Sequence, residues 1–211
     1  MSAPLSSLCV ENDHARYDQA YFDHWYRNPL TRVKSGAAVR RKVALALSIA
    51  EYYLERPVKS VLDVGCGEGN WFPMLRSLRP SIRYTGVDAS SYVVRRYGKK
   101  RGIRLGSFAS LEECELEDFY DLIVCSDTLF YLSIEELKQG LAFLAPRAAG
   151  LAFLELYSNE DSVVGDFPQE GLQSAEFYRK MLRSFGFLSC GSHCYLGPEI
   201  AHHAMEMEQG C

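Results

Sequence analysis

No apolar stretch in this 211-residue chain is long enough to cross a membrane. The first ten residues, Met1 to Val10, lack the basic start and the long apolar core of a secretory leader, so a cytoplasmic location is expected. The chain also lacks a basic surplus. Lys and Arg number 23 against 27 Asp and Glu, a net charge of −4. Proteins that bind nucleic acid use a surplus or stripe of positive charge to displace counterions, so a nucleic-acid partner is not expected. Short basic clusters, Arg40-Arg41-Lys42 and Arg95 to Arg101, are balanced by the acidic run Glu112 to Asp118 and read as solvated helix faces. Repeats, low-complexity tracts and linker-like runs are absent, and the length suits one α/β domain with a sizeable core. The seven cysteines are odd in number, and two fall in predicted buried strands, which suits reduced thiols rather than a disulfide framework. A metal is not expected either. Cys190, His193 and Cys194 lack the spacing of paired zinc ligands, and strand alternation would send His193 to the face opposite the two cysteines.

What is present begins with Val61-Leu62-Asp63-Val64-Gly65-Cys66-Gly67-Glu68-Gly69-Asn70. Apolar residues lead into an acid, and glycines follow at every second position. This reads as a buried strand, a tight turn and a helix start. The dinucleotide fingerprint Gly-x-Gly-x-x-Gly fails because its last position is Asn70. A phosphate-binding P-loop fails because no Gly-Lys-Ser/Thr follows. A loop with no Lys or Arg suits a ligand without phosphate, and Asp63 suits a cationic one. One βα unit later, Ile82 to Val87 reads as a second strand with Asp88 at its carboxyl end. A carboxylate there can accept both hydrogen bonds of a ribose diol.

The loop resembles motif I of the class I S-adenosylmethionine-dependent methyltransferases, acid-x-Gly-x-Gly-x-Gly. The resemblance covers about residues 37–208 and is strongest over 58–132. It implies a doubly wound, seven-stranded, mostly parallel α/β sheet closed by a C-terminal antiparallel hairpin. It implies S-adenosyl-L-methionine as cofactor, leaving as S-adenosyl-L-homocysteine. The cofactor contacts implied are Asp63, Gly65, Cys66, Gly67 and Gly69 from the loop, and Asp88 and Ala89 after the second strand. Ser107, Phe108 and Ser126 complete the set. The third strand, Ile103 to Phe108, lacks the acid that many relatives place near the adenine; backbone groups or Ser107 would substitute.

The fourth strand, Tyr120 to Asp127, holds a continuous hydrophobic run, as expected for a parallel strand buried on both faces. Cys125 to Leu132 follows where the family lines its methyl-transfer site. The Pro-Pro pair of the DNA amino-methyltransferases is missing there. A small-molecule acceptor is therefore expected, methylated on N or O. Candidate bases or orienters are Asp127, Tyr131 and His24. Two alternatives stay open: an RNA or protein methyltransferase, and a non-catalytic module that binds cofactor or a partner. A monomer or homodimer is expected.

Two units are expected: residues 1–36 as an aromatic-rich cap or lid, and 37–211 as the single methyltransferase domain. Tyr17 to Arg27 carries Tyr17, Tyr21, Phe22, Trp25 and Tyr26 in one helical stretch. Helices are predicted over 37–55, 69–78, 90–100, 134–144 and 174–185. The hairpin is predicted as a strand over 187–196, a turn at Gly197-Pro198 and a last strand over 200–207. The long loop 157–170 is a candidate functional segment.

Overall fold

A computed structural model describes residues 17–28, 30, 35–162 and 171–204. A short helix α1 (Gln19–Phe22) runs into a π-helical turn (Asp23–Arg27) and precedes the main domain. There follow α2 (Gly36–Leu54), β1 (Ser60–Val64), α3 (Trp71–Leu78), β2 (Arg83–Asp88), α4 (Ser91–Arg101) and β3 (Ile103–Leu105). The second half holds β4 (Tyr120–Cys125), α5 (Ile134–Leu144), β5 (Ala148–Leu154), α6 (Ala175–Ser184), β6 (Leu188–Gly191) and β7 (Cys194–Leu196). The seven strands lie in the order β3-β2-β1-β4-β5-β7-β6. The first five are parallel, and β7 runs antiparallel to both β5 and β6. This is the doubly wound α/β class with an antiparallel C-terminal hairpin.

Alternation along the strands divides the core into two layers. Val61, Leu122, Val124, Leu151 and Phe153 face α2 and α3, where Val43, Ala46, Leu47 and Ala50 meet Trp71 and Leu75. Their neighbours Leu62, Val64, Ile123, Cys125, Ala152 and Leu154 face the opposite layer, with Leu137, Leu141 and Leu144 of α5 and Met181 and Leu182 of α6. A strand buried on both faces has no polar side to show, which is why β4 and β5 read as continuous apolar runs. Serine caps start four helices: the hydroxyls of Ser35, Ser90, Ser133 and Ser174 accept from the backbone N–H three residues on. Each such cap contributes about 1 kcal/mol.

The C-terminal hairpin differs from its expected position. Both strands lie inside 187–196, and the reversal falls at Gly191, Ser192 and His193, with φ of 81°, 50° and 62°. Three consecutive left-handed residues turn the chain within a segment that reads as one strand. Residues 201–204 form a 3-10 turn rather than a last strand, and 205–207 lie outside the described residues. His193 therefore sits in a turn, and strand alternation does not govern its direction.

Candidate functional site

The carboxyl ends of β1, β2, β3 and β4 converge on one cavity. It is lined by Gly65, Gly67, Asp88, Ala89, Gly106, Ser107 and Phe108 from the first three, and by Asp127, Thr128, Tyr131, Leu132 and Glu136 beyond β4. Tyr17, Tyr21, Phe22 and Tyr26 line its remaining side. Ligands of doubly wound sheets bind at this edge.

The glycine loop is shaped by two constraints. Gly65 has φ of 67°, and a Cβ there would come within 2.2 Å of the Thr128 hydroxyl oxygen. Thr128 Oγ1 donates to the Gly65 carbonyl at 3.2 Å, which locks the β1 loop to the β4 loop. Gly67 has φ of 53°, and a Cβ there would meet the rings of Phe22 and Tyr26 from across the cavity. Only glycine combines these angles with so close an approach.

Asp88 stands at the centre. One carboxyl oxygen accepts from the Gly67 N–H at 2.7 Å and the other from the Ser90 N–H at 2.9 Å. Burial pushes this carboxyl up to about 6, against the pull of those two N–H groups. Asp63 lies beneath the loop, 1% exposed, and accepts from the Tyr84 hydroxyl at 2.7 Å. Burial raises its carboxyl to about 7, with the Tyr84 bond opposing and the Asp88 charge adding to the rise. Asp63 supports the loop from below and does not line the cavity, although the sequence suggested a cationic ligand for it.

The other expected residues divide in the same way. Gly65, Gly67, Asp88, Ala89, Ser107 and Phe108 come together on the cavity wall. Phe108 offers an edge only, since its ring is 2% exposed and fills the space over Gly140. Cys66 turns its thiol away, into a cluster with Phe22, Val93 and Ile103. Gly69 packs toward Arg101 and Ile103, behind the loop. The Ser126 hydroxyl also points away from the cavity and donates to Glu155 at 2.7 Å.

Asp127 and Tyr131 both line the cavity, and Asp127 holds φ of 60°. His24 does not. Residues four apart share a helical face, so Tyr17, Tyr21, Phe22 and Tyr26 look inward while His24 is exposed with its ring edge-on to Trp25. The α1 segment is fastened by Arg27, which pairs with Glu68 of the glycine loop and donates to Tyr92 at 3.2 Å. Ser90 adds a hydrogen bond to the Tyr17 carbonyl. Tyr17 also meets Tyr131 ring to ring at 6.4 Å, joining α1 to the β4 loop.

Sequence reasoning missed Glu155 and Lys42. Glu155 follows β5, is 3% exposed, and holds Lys42 of α2 with both oxygens at 2.6 and 2.7 Å. Tyr157 donates to it at 3.0 Å. The only available signal was a charged residue at the end of an apolar strand. The candidate loop 157–170 is described only to residue 162. Among the described residues no group of three or more His, Cys, Asp or Glu could hold a metal ion, and no helix is long and apolar enough to cross a membrane.

Comparison with known proteins assigns this geometry to a family. A model of the methyltransferase domain matches residues 36–199. A malonyl-[acyl-carrier protein] O-methyltransferase of Anoxybacillus flavithermus is 31% identical over 111 residues, which are 52% of this chain and 41% of that protein. The chain thus spans about two-fifths of the length of the curated relatives it matches. Among solved structures, the magnesium protoporphyrin IX methyltransferase of Synechocystis PCC 6803 with bound SAM aligns with TM-score 0.58 and 18% identity, covering 93% of this chain and 97% of that one. The 1,6-didemethyltoxoflavin-N1-methyltransferase of Burkholderia thailandensis, solved with its substrate and S-adenosylhomocysteine, aligns with TM-score 0.56 and 18% identity over 93% and 88% of the two chains. At these identities the structural likeness is one of fold.

Proposed function

This chain belongs to the methyltransferase domain family, and from that we propose that it moves a methyl group from S-adenosyl-L-methionine to N or O of a small-molecule acceptor. The observation that carries the reading is Asp88, a carboxylate at the end of β2, oriented by the N–H groups of Gly67 and Ser90 and facing the cavity. Its remaining lone pairs suit the two hydroxyls of a ribose. Gly65 and Gly67 leave room for a ligand to approach the backbone, and Gly106, Ser107 and the Phe108 edge form a wall suited to a flat base. The Tyr26 and Tyr131 rings suit a positive sulfur. These residues fit the cofactor in shape and in charge.

When bound, the cofactor supplies a methyl group already activated on positive sulfur. The protein's task is then to align the acceptor, and orientation alone can lower the barrier by about 7–11 kcal/mol in good cases. We assign that alignment to Asp127 and Tyr131, which share the cavity with Asp88, and assign no role to His24. The α1 segment with Tyr17, Tyr21, Phe22 and Tyr26 acts as a cap over the cavity; residues 1–16, 29 and 31–34 of the expected 1–36 unit lie outside the described residues. Structurally similar proteins named for magnesium protoporphyrin IX and for 1,6-didemethyltoxoflavin support a small acceptor.

The test is transfer of tritium from methyl-labelled S-adenosylmethionine into a cell extract separated into small molecules, RNA and protein. Label in the small-molecule fraction, dependent on the enzyme, is the expected outcome. Label confined to RNA or protein would overturn the small-molecule assignment.

A further inference from the structure

We propose that Glu155 is a positioning residue for methyl transfer: it fixes the segment from Ser126 to Tyr131 and so aims Asp127 and Tyr131 into the cavity. This rests on the function proposed above, which gives those two residues the alignment of the acceptor. Glu155 acts from behind the cavity wall, where its carboxylate gathers donors from separate parts of the chain. Lys42 of α2 donates to both oxygens, at 2.6 and 2.7 Å. Tyr157, beyond β5, donates to Oε1 at 3.0 Å, and Ser126, beyond β4, to Oε2 at 2.7 Å. The Glu155 N–H donates to the Cys125 carbonyl at 3.0 Å, which sets the ends of β4 and β5 level. A clamp between α2 and β5 would need Lys42 alone. A buried ion pair is also a weak source of stability, since apolar residues of similar volume often serve as well. The bond to Ser126 is what carries the carboxylate's hold into the loop after β4.

The segment is held at both ends. At its start the Ser126 side chain is fixed by Glu155, and the Ser126 carbonyl accepts from the Thr128 hydroxyl at 3.3 Å. The same hydroxyl lies 3.2 Å from the Gly65 carbonyl of the glycine loop. Between these fixed neighbours Asp127 keeps its φ of 60°, a conformation that persists where the surroundings impose it. At the other end Tyr157, tied to Glu155, meets the Phe130 ring at 5.1 Å, and Phe130 meets the Tyr131 ring at 4.6 Å. Glu155 therefore reaches Asp127 through a hydrogen bond to the residue before it, and Tyr131 through two ring contacts. Side chains locked in this way by a supporting layer of hydrogen bonds keep a site in its productive geometry. Orientation is the protein's contribution to this reaction, and a displacement of about 1 Å can cost about a hundredfold in rate.

The experiment is hydrogen exchange, read by mass spectrometry, on the full chain loaded with S-adenosylhomocysteine. It compares the wild type with Ser126→Ala, Glu155→Gln and Ser174→Ala. Ser126→Ala cuts the reach of Glu155 into the segment and leaves its pair with Lys42 intact. Ser174→Ala removes the cap of α6 and supplies a variant weakened elsewhere. The amides of residues 126–132 include those of Tyr131 and Leu132, which bond to the Thr128 and Leu129 carbonyls. They should exchange at least about tenfold faster in Ser126→Ala and Glu155→Gln, and at the wild-type rate in Ser174→Ala. The paired readout is transfer kinetics, with the small-molecule fraction that takes label from the wild type as acceptor. The maximal rate should fall at least about tenfold in both variants, while KM for S-adenosylmethionine stays within about twofold.

Unchanged exchange over 126–132 in Ser126→Ala would overturn the inference, as would equally fast exchange there in Ser174→Ala. Faster exchange with an unchanged maximal rate would overturn it too, by reducing Glu155 to a structural tie. If Glu155→Gln does not fold, Ser126→Ala decides. Absence of label in every fraction with the wild type, or failure of S-adenosylhomocysteine to bind, would instead strike the function proposed above.

Discussion

Asp88 and Asp63 are two buried carboxyls one strand apart, both with affinity for protons raised by burial, to about 6 and about 7. An acid that titrates higher in the folded state than in the unfolded chain, where Asp titrates near ~3.9, stabilises the fold when protonated. That contribution is complete below about pH 4 and is lost as pH rises through about 6 for Asp88 and about 7 for Asp63. Urea midpoints measured from pH 5 to 8 should therefore decline across this range, and Asp63→Asn should flatten the decline. Ligand binding should follow the opposite trend. A ribose diol needs the ionised Asp88, so S-adenosylhomocysteine affinity should fall by about tenfold per unit below pH 6. Affinity constant from pH 5 to 8 would contradict the ribose contact. Gly65→Ala tests the loop itself. It forces a side chain into a left-handed site and into Thr128, which should cost about 1–3 kcal/mol in unfolding experiments and abolish cofactor binding.

At the scale of elements, two ties hold the site's walls in place. The first joins α2 to the end of β5 through Lys42 and Glu155. Removing one partner leaves a buried charge, so Glu155→Gln should cost about 3 kcal/mol, and adding Lys42→Met to it should recover part of that loss. Denaturant titration of the single and double variants measures this directly. The second tie fastens α1 to the glycine loop through Arg27 and Glu68, with Phe22 buried against Cys66, Val93 and Ile103. If α1 closes over bound cofactor, S-adenosylhomocysteine should slow tryptic cleavage after Arg27, and Phe22→Ala should remove the protection. The helices and parallel strands behind these ties were legible because each has a strong local signature. β4 is apolar beyond Asp121, and β5 is apolar throughout. The hairpin was misplaced because Gly197-Pro198 carries a stronger turn signal than Gly191-Ser192-His193. In the folded chain the latter residues supply the positive φ that reverses it.

At the scale of the whole molecule, strand order decides which residues meet. Residues 65, 88, 107 and 127 are far apart in sequence, and the order β3-β2-β1-β4 gathers them at one edge of the sheet. That order was legible only through the family resemblance, since spacing along the chain does not set it. The cavity residues that carry a motif, Gly65, Gly67 and Asp88, were readable for the same reason. Side-chain direction was not readable: Ser126 turns to Glu155, Cys66 turns to the core, and His24 falls on the outer face of α1. Glu136 and Thr128 joined the cavity through tertiary packing, which no local pattern announces. The Lys42–Glu155 pair spans 113 positions and could be found only in three dimensions. The central claim is that this edge holds an adenosyl cofactor through Asp88. Calorimetric titration of S-adenosylhomocysteine into the wild type and Asp88→Ala measures it most directly. Micromolar binding to the wild type, weakened at least about tenfold in the variant, is the expected result. Absence of binding to the wild type, or equal affinity in both proteins, would contradict it.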